Sequence, residues 1–275
     1  MIDAHHHLWR YSAREYPWIA DGMEVLRRDF RIEDLRPLAK TAGVTGLVAV
    51  QACQSIEETS LLLEGADEHE EILGVVGWVP LAAPDAGAAI ERFAGRQKLR
   101  GVRHVLQDEP DDEYMLREDF NEGISRLRTF GLAYDLLVLE RHLPATLTFV
   151  DRHPQQVFVL DHMAKPRIRE GLLSPWKELM AELAARPNVW CKVSGLVTEA
   201  DWTRWTEADL RPYFDVALST FGPRRLMFGS DWPVLTLGSA YGRWVETFRS
   251  LCAALSPDER MWIEERTARQ AYGLA

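Results

Sequence analysis

The chain opens with residues that can bind a metal: His5, His6 and His7 follow a short apolar segment. In a β-strand, residues two apart lie on the same face, so His5 and His7 can direct two imidazoles at one point. Paired imidazoles are a common ligand arrangement for zinc. A purification tag or an incidental polar run is the alternative, but a tag usually runs longer. The spacing therefore predicts two metal ligands, with His6 on the opposite face.

Two more candidate ligands close apolar runs further along the chain. Asp161 and His162 close the run 157–160, and Asp231 ends the run 226–230. Alternation along a strand directs only one of Asp161 and His162 inward, and we expect it to be His162. With His5 and His7 they form a set of three nitrogens and one oxygen. Such a set suits zinc or a similar divalent ion with an open position for water. A helix N-cap is the alternative role for Asp231.

These residues need a frame that brings distant segments together. Eight apolar runs predict strands at 2–7, 44–51, 72–79, 101–106, 133–138, 157–162, 189–193 and 225–231. Segments of helical spacing predict helices at 32–42, 56–69, 84–95, 116–131, 143–152, 175–186, 207–221 and 240–254, and a capping box at Ser256 and Glu259 begins another. This alternation predicts an α/β protein, a (β/α)8 TIM barrel forming one domain over residues 1–275. A doubly wound open sheet is the alternative, but no glycine-rich phosphate loop follows the first strand.

In a barrel of this kind the active site forms at the C-terminal ends of the strands. Polar or aromatic residues at those ends are therefore candidate substrate contacts, namely Gln51, Arg103, His104, Asp135, Lys192 and Trp232. Taken alone, Gln51, Asp135 or Lys192 is more often a hydrogen-bonded core residue. Their convergence at one end of the barrel favours a binding site.

A long segment without clear periodicity, Trp9 to Phe30, follows the first strand and carries the aromatic residues Trp9, Tyr11, Tyr16 and Trp18. Loops of this length often act as lids or binding loops. Their rings can stack on a sugar-like ring or pack over the barrel mouth, and the sequence leaves both roles open.

The amino-acid composition limits the classes of molecule that the protein is expected to bind. A formal net charge of -10 argues against nucleic acid and against an anionic membrane surface, because both reward basic proteins. Three cysteines without a C-x-x-C pair fit a reducing compartment. We find no cationic leader and no apolar run approaching about 18 residues, so we expect a cytoplasmic protein. The oligomeric state stays open, with a homodimer among the alternatives.

Several short motifs together resemble a known family. They are Asp3-Ala4-His5-His6-His7-Leu8-Trp9, Gly101-Val102-Arg103-His104, Leu160-Asp161-His162 with Lys165-Pro166, Lys192-Val193-Ser194-Gly195-Leu196, and Phe228-Gly229-Ser230-Asp231-Trp232-Pro233. In this order they resemble the amidohydrolase superfamily, and within it the amidohydrolase 2 group, which contains sugar lactonases of the L-fuconolactonase and L-rhamnono-lactonase type. The resemblance implies a metal site at His5, His7, His162 and Asp231. It implies one divalent metal, with zinc the expected ion, although lactonases of this group also work without one.

The chain departs from the family at two places. Binuclear members carry a bridging lysine and a fifth-strand histidine, whereas this chain has Arg103 with His104 on its fourth strand and Asp135 on its fifth. We therefore expect a single metal. The C-terminal helix carries Thr267-Ala268 where the family usually has Asn-Ala, a change that we interpret as a matter of packing.

The reaction that the resemblance implies is hydrolysis of a sugar-acid lactone, a small cyclic ester, to the free aldonic acid in carbohydrate catabolism. We expect Asp231 to take a proton from the attacking water and to return it to the ring oxygen. His162 would be a further ligand or a donor to the oxyanion. Arg103 and His104 would orient the substrate.

Three other functions remain open. A metal-dependent decarboxylase of the same superfamily, or a lactonase for a carboxylated pyrone-type lactone, would use cations to receive a carboxylate. The candidate cations are Arg103, Lys165, Arg167, Arg169 and Lys192. A non-catalytic sugar or metal binder on a barrel scaffold is the third, since a fold does not fix a function.

Overall fold

The predicted barrel is confirmed by the computed structural model, which describes residues 1–275. Eight parallel strands form one sheet in chain order: β1 (Ile2–His6), β2 (Gly46–Val50), β3 (Ile72–Gly77), β4 (Leu99–His104), β5 (Ala133–Leu136), β6 (Phe158–Leu160), β7 (Val189–Val193) and β8 (Leu226–Phe228). The backbone N–H of His7 donates to the carbonyl of Trp232 at 2.7 Å, which joins the first strand segment to the last. Helices cover the outer face while side chains fill the inner one, and this double burial explains the nearly continuous apolar runs.

Eleven helices complete the fold: α1 (Ile32–Thr41), α2 (Ile56–Glu68), α3 (Ala86–Ala94), α4 (Glu118–Leu127), α5 (Leu143–Arg152), α6 (Trp176–Ala184), α7 (Leu196–Glu199), α8 (Glu207–Phe221), α9 (Tyr241–Leu251), α10 (Pro257–Met261) and α11 (Thr267–Tyr272). The predicted capping box is present at the start of α10. Ser256 Oγ accepts from the Glu259 N–H, and the Glu259 carboxylate accepts from the Ser256 N–H. None of the helices is both long and apolar enough to span a membrane.

The core has two parts. A cluster of 66 buried residues fills the space between the outer face of the barrel and the helices. A second cluster of 12 residues fills the barrel interior, where early strand residues such as Ile2 and Val48 meet Ala268, Tyr272 and Leu274 of the C-terminal segment. Helix α11 therefore closes the end of the barrel opposite the C-terminal strand ends, and the last turn of the chain reaches into its interior.

Every strand except β7 ends earlier than predicted, and the early ends of β6 and β8 matter most for the site. Strand β6 stops at Leu160, and His162, Met163, Ala164 and Lys165 all take left-handed backbone conformations with φ between 49° and 58°. The prediction that only one of Asp161 and His162 points inward is therefore wrong, because the turn redirects the chain and both side chains are buried beside the His5 ring. Asp231 likewise lies beyond β8, with a φ of 60°.

Candidate active site

The four predicted ligands meet at the C-terminal end of the barrel. His5 Nε2 lies 3.2 Å from His7 Nε2, and the Asp231 Oδ1 atom lies 3.3 Å from His7 Nε2. The same carboxylate oxygen is 3.7 Å from His5 Nε2 and 3.8 Å from His162 Nε2. All four side chains are buried, so distant segments of the chain converge on one small polar cluster.

Two of the imidazoles, those of His7 and His162, are oriented by a polar contact at Nδ1. His7 Nδ1 lies 2.8 Å from the carbonyl oxygen of Val50, which can only accept, so His7 carries its proton on Nδ1 and leaves Nε2 free. His162 Nδ1 lies 2.9 Å from Ser194 Oγ, and this contact turns its Nε2 toward Asp231. A hydrogen bond at Nδ1 that directs Nε2 inward is the usual arrangement of a metal-binding histidine.

The path of the chain beside His162 depends on a glycine. Gly195 follows β7 with a φ of +71°, and a Cβ atom there would lie 2.7 Å from the Cβ of His162. Any side chain at this position would displace the imidazole. Gly195 therefore serves both the turn and the packing of His162.

The donor set fits one divalent metal. Tetrahedral zinc with bonds of about 2.0–2.1 Å places its ligand atoms about 3.3 Å apart, and four of the six separations between ligand atoms of this cluster are 3.2, 3.3, 3.7 and 3.8 Å. His5, His162 and Asp231 alone bring three ligand atoms within 4.8 Å of one another. Imidazole nitrogens with one carboxylate oxygen are ligands that zinc accepts.

The protonation of the cluster agrees with that donor set. Burial lowers the pKa of His162 to about 4 and lowers the pKa of His5 well below its usual value. Burial opposes ionisation of Asp231, but the neighbouring imidazoles of His162, His7 and His5 hold its pKa well below the usual range. At neutral pH His5 and His162 are therefore neutral beside a carboxylate that is ionised.

A cavity of about 920 Å³ opens above this cluster. His7, His162, Asp231 and Arg103 line its floor side. Its walls carry two tryptophans, Trp18 and Trp202, and a loosely paired lysine and glutamate, Lys165 and Glu199, whose charged atoms are 4.0 Å apart. Binding sites for small ligands typically have about 300–1,000 Å³ and a few convergent polar groups, so this cavity is large enough for a monosaccharide derivative.

Comparison with known proteins identifies the family. The amidohydrolase family profile matches residues 2–274. The chain belongs to the amidohydrolase family. Similar relatives are two proteins named L-fucono-1,5-lactonase: one from Burkholderia multivorans is 43% identical, covering 99% of this chain and 96% of the relative, and one from Burkholderia ambifaria is 41% identical, covering 94% and 90%. A crystal structure of an amidohydrolase from Burkholderia multivorans with bound zinc is 42% identical, with a TM-score of 0.97 over 100% of this chain and 99% of that chain.

The long loop of this amidohydrolase has a divided role. Trp9 and Tyr16 are buried, and the Tyr16 hydroxyl donates to the Glu58 carboxylate at 3.1 Å. Trp18 packs edge-on against Trp9 at 5.7 Å and also lines the cavity. Part of the loop thus packs over the barrel mouth, and part of it faces the space where a substrate would bind.

Two predicted substrate contacts lie behind the cluster instead of in the cavity. Asp135 and Lys192 are fully buried, and Lys192 Nζ lies 2.6 Å from Asp135 Oδ2 and 2.9 Å from Asp161 Oδ1. The Tyr272 hydroxyl donates to both Asp135 oxygens, at 2.8 and 2.9 Å. We call these four residues, Asp135, Asp161, Lys192 and Tyr272, the sealed network.

The remaining predicted contacts are distributed differently. Arg103 lines the cavity, and its Nη1 lies 2.9 Å from Asp161 Oδ2 while its Nη2 contacts the carbonyl of Gln51. Gln51 is fully buried and donates to the Arg103 carbonyl at 3.3 Å. His104 is held 2.6 Å from Glu109, and Trp232 packs edge-on against Phe30 at 5.2 Å. Of the six predicted substrate contacts, only Arg103 lines the cavity.

Several residues of the site were not among the predicted ones. Ser194 lies two positions after Lys192, and this period-two spacing could have indicated a shared inward face. Lys165 was named only as a candidate cation for a substrate carboxylate, and Glu199 carries no such signal because it lies on the short helix α7 after β7. Tyr272 carries none either, since only the packing of α11 against the barrel brings it to Asp135.

Proposed function

We propose that this amidohydrolase hydrolyses a sugar-acid lactone to the free aldonic acid, and that L-fucono-1,5-lactone is the first substrate to test. The cluster of His5, His7, His162 and Asp231 at the base of an open cavity carries the proposal. Two relatives that match nearly the whole chain at 43% and 41% identity are named for that reaction, and they support it. The product, a free sugar acid, would enter carbohydrate breakdown.

Asp231 is the proposed base. In the reaction a water oxygen attacks the lactone carbonyl, the carbonyl carbon gains that oxygen, and the bond to the ring oxygen breaks. Asp231 accepts the proton of the attacking water and then delivers it to the ring oxygen as that bond breaks, so one carboxylate serves both steps. Its place in the cavity wall, 3.3 Å from the His7 ring, allows contact with both water and substrate.

Positive charge beside Asp231 would stabilise the oxyanion that forms during attack. Arg103 lines the same cavity, and its guanidinium lies 3.3 Å from His5 Nε2. A fixed guanidinium in a water-poor site stabilises negative charge well because it needs no reorganisation. A divalent ion held by His5, His7, His162 and Asp231, with zinc the expected one, would add Lewis acidity and lower the pKa of a bound water toward about 7.

The walls of the cavity would select the substrate. Glu199 can accept hydrogen bonds from sugar hydroxyls, and Lys165 can donate to them. Trp18 and Trp202 offer flat apolar faces of the kind that pack on a sugar ring. Asp135 and Lys192 were predicted to contact sugar hydroxyls. They would instead act on the histidine cluster, through the contact of Lys192 with His5.

The pairing of three of the five candidate cations favours a lactone without carboxylates over a carboxylated pyrone or a decarboxylase substrate. Lys192 and Arg103 already contact buried carboxylates. Arg167 lies 3.5 Å from Glu140 and 3.4 Å from Glu170. A substrate carboxylate would have to compete with each of these partners.

A panel of lactones tests the proposal. Hydrolysis of aldono-1,4- and 1,5-lactones would be followed by acid release at constant pH, with metal analysis of the same preparation. We expect the highest kcat/KM for a 1,5-lactone of L-fuconic acid or a close relative. Hydrolysis of none of them, with release of carbon dioxide from an aromatic carboxylate, would overturn it. Full activity in a preparation without metal would support the proposed lactonase activity and contradict the proposed role of zinc.

A further inference from the structure

A path of polar contacts runs from the C-terminal helix to the histidine cluster. We infer that Tyr272 is a positioning residue, which fixes the His5 imidazole through Asp135 and Lys192. The inference rests on the proposed metal site, because His5 is one of its proposed ligands. It assigns a role in the chemistry to α11, the helix in which Thr267-Ala268 replaces the family's usual Asn-Ala.

The first link joins Tyr272 to Asp135. The tyrosine is only 3% exposed, and its hydroxyl lies 2.8 Å from Asp135 Oδ2 and 2.9 Å from Oδ1. Its ring centre also lies 5.4 Å from Lys192 Nζ, within the range of a cation–π contact. Tyr272 therefore contacts both partners of the buried ion pair, and it fixes the carboxylate plane of Asp135.

The second link fixes Lys192. An ammonium group has three hydrogens, and Nζ has three partners in range: Asp135 Oδ2 at 2.6 Å, Asp161 Oδ1 at 2.9 Å and His5 Nδ1 at 3.1 Å. No water-exposed surface competes for these hydrogens, since Lys192 is fully buried. The position of the ammonium is thus set by its two carboxylates, and Asp135 is the one that Tyr272 holds.

The third link reaches His5. Its Nδ1 faces a donor, Lys192 Nζ at 3.1 Å, and an acceptor, Asp161 Oδ1 at 3.3 Å. An imidazole that donates to Asp161 from Nδ1 leaves Nε2 free, whereas one that accepts from Lys192 carries its proton on Nε2. A small displacement of Lys192 therefore changes which nitrogen of His5 is available to the cluster.

A purely structural ion pair would affect stability alone, and this difference makes the inference testable. Groups that orient a metal-binding histidine from behind usually change metal affinity or activity by about 10–100-fold when altered. A structural role predicts an altered melting temperature with unchanged metal affinity and an unchanged His5 ring.

The experiment compares Tyr272→Phe with Tyr134→Phe. Both tyrosines are buried, but Tyr134 stands next to Asp135 in sequence and its hydroxyl has no hydrogen-bond partner among the side chains. Zinc affinity would be measured by competition with a chelator, together with kcat, KM and the nitrogen NMR shifts of the histidine rings. We expect Tyr272→Phe to weaken zinc binding about 10-fold or more, to lower kcat with little change in KM, and to shift the His5 signals. Tyr134→Phe should change none of these.

Equal zinc affinity and equal His5 shifts in the two variants would overturn the inference. If Tyr272→Phe does not fold, Asp135→Asn keeps the shape of the second link while removing its charge, and the same readouts apply. If the wild-type protein binds no zinc, the proposed metal site fails. The His5 shifts and kcat of Tyr272→Phe then decide the positioning role by themselves.

Discussion

The two sides of the histidine cluster hold similar residues in opposite ways. On the cavity side, Lys165 and Glu199 stand 4.0 Å apart and are both partly exposed. In the sealed network, Lys192 lies 2.6 and 2.9 Å from two carboxylates, and all three side chains are fully buried. Each side presents a lysine to a carboxylate, yet only the cavity side leaves groups free to meet another molecule.

This difference separates two tasks. Burying a charge is costly unless close partners compensate for it, so short contacts in the sealed network are a condition of folding. Loosely paired charges at a cavity wall contribute little to stability and can exchange their partner for a substrate hydroxyl. We therefore expect changes in the sealed network to affect folding and, through the His5 ring, metal binding and kcat, and changes on the cavity side to affect substrate binding and turnover with little effect on folding.

The largest expected effect breaks the sealed network. Lys192→Met leaves Asp135 and Asp161 buried without their ammonium, and we expect a loss of about 3–5 kcal/mol in the free energy of unfolding, measured with urea. The matched variant on the cavity side, Lys165→Met, should lose no more than about 1 kcal/mol. Equal losses in the two variants would abolish the distinction between the sides.

The second prediction concerns the base. Asp231→Asn cannot accept a proton from water, so turnover of the lactone should fall by about 10²-fold or more. This turnover is measured as the rate of proton release at saturating substrate. Asp108→Asn provides the control, because Asp108 lines the same cavity but is exposed. A variant at Asp231 with nearly wild-type turnover would exclude it as the base.

A smaller effect should sharpen the assignment of the cavity wall. Glu199→Gln weakens the acceptor for sugar hydroxyls, and loss of one charged hydrogen bond should raise KM about 10-fold for a hydroxylated lactone. Hydrolysis of δ-valerolactone, which has no hydroxyl to bind, should stay as it was. A parallel loss on both lactones would show that Glu199 acts on the reaction and not on recognition.

The smallest effect concerns the loop over the cavity. Burial raises the pKa of Glu58 to about 7, so the Tyr16 hydroxyl donates to a carboxylate above that pH and to a neutral acid below it. A hydrogen bond to the ionised form is the stronger one and opposes protonation, so its contribution is present in full above pH 7 and declines as the pH falls. Tyr16→Phe should cost about 1 kcal/mol at pH 8 and less at pH 5, in urea unfolding at the two values. An equal loss of unfolding free energy at pH 8 and pH 5 would contradict this role of the Glu58 charge.

The barrel could be predicted from the sequence because each strand is buried on both faces. Runs such as Gly46–Val50 and Ile72–Gly77 are apolar throughout, and the segments between them have helical spacing. The ends of β6 and β8 could not be predicted. Residues such as Met163 and Ala164 rarely adopt left-handed conformations, and tertiary contacts hold them there.

The candidate site could be predicted where the face of the strand on which a residue lies decides its contacts. It was less predictable where the contacts depend on how deep in the barrel the residue lies. Alternation placed His5 and His7 together, and strand ends added His162 and Asp231. The same reasoning predicted that Asp135 and Lys192 contact the substrate. Alternation along a strand shows that these side chains point into the barrel, but it does not show which residues cover them there. Helix α11 covers them with Tyr272, a contact across 137 residues that no local pattern encodes.

The central claim is that the cluster and its cavity hydrolyse a sugar-acid lactone. Its most direct test is kcat/KM of the purified wild-type protein for L-fucono-1,5-lactone, followed by acid release at pH 7 and corrected for spontaneous hydrolysis. We predict a value in the ordinary enzymatic range, roughly 10⁴ M⁻¹s⁻¹ or higher. A rate equal to spontaneous hydrolysis for this lactone and its stereoisomers would contradict the account.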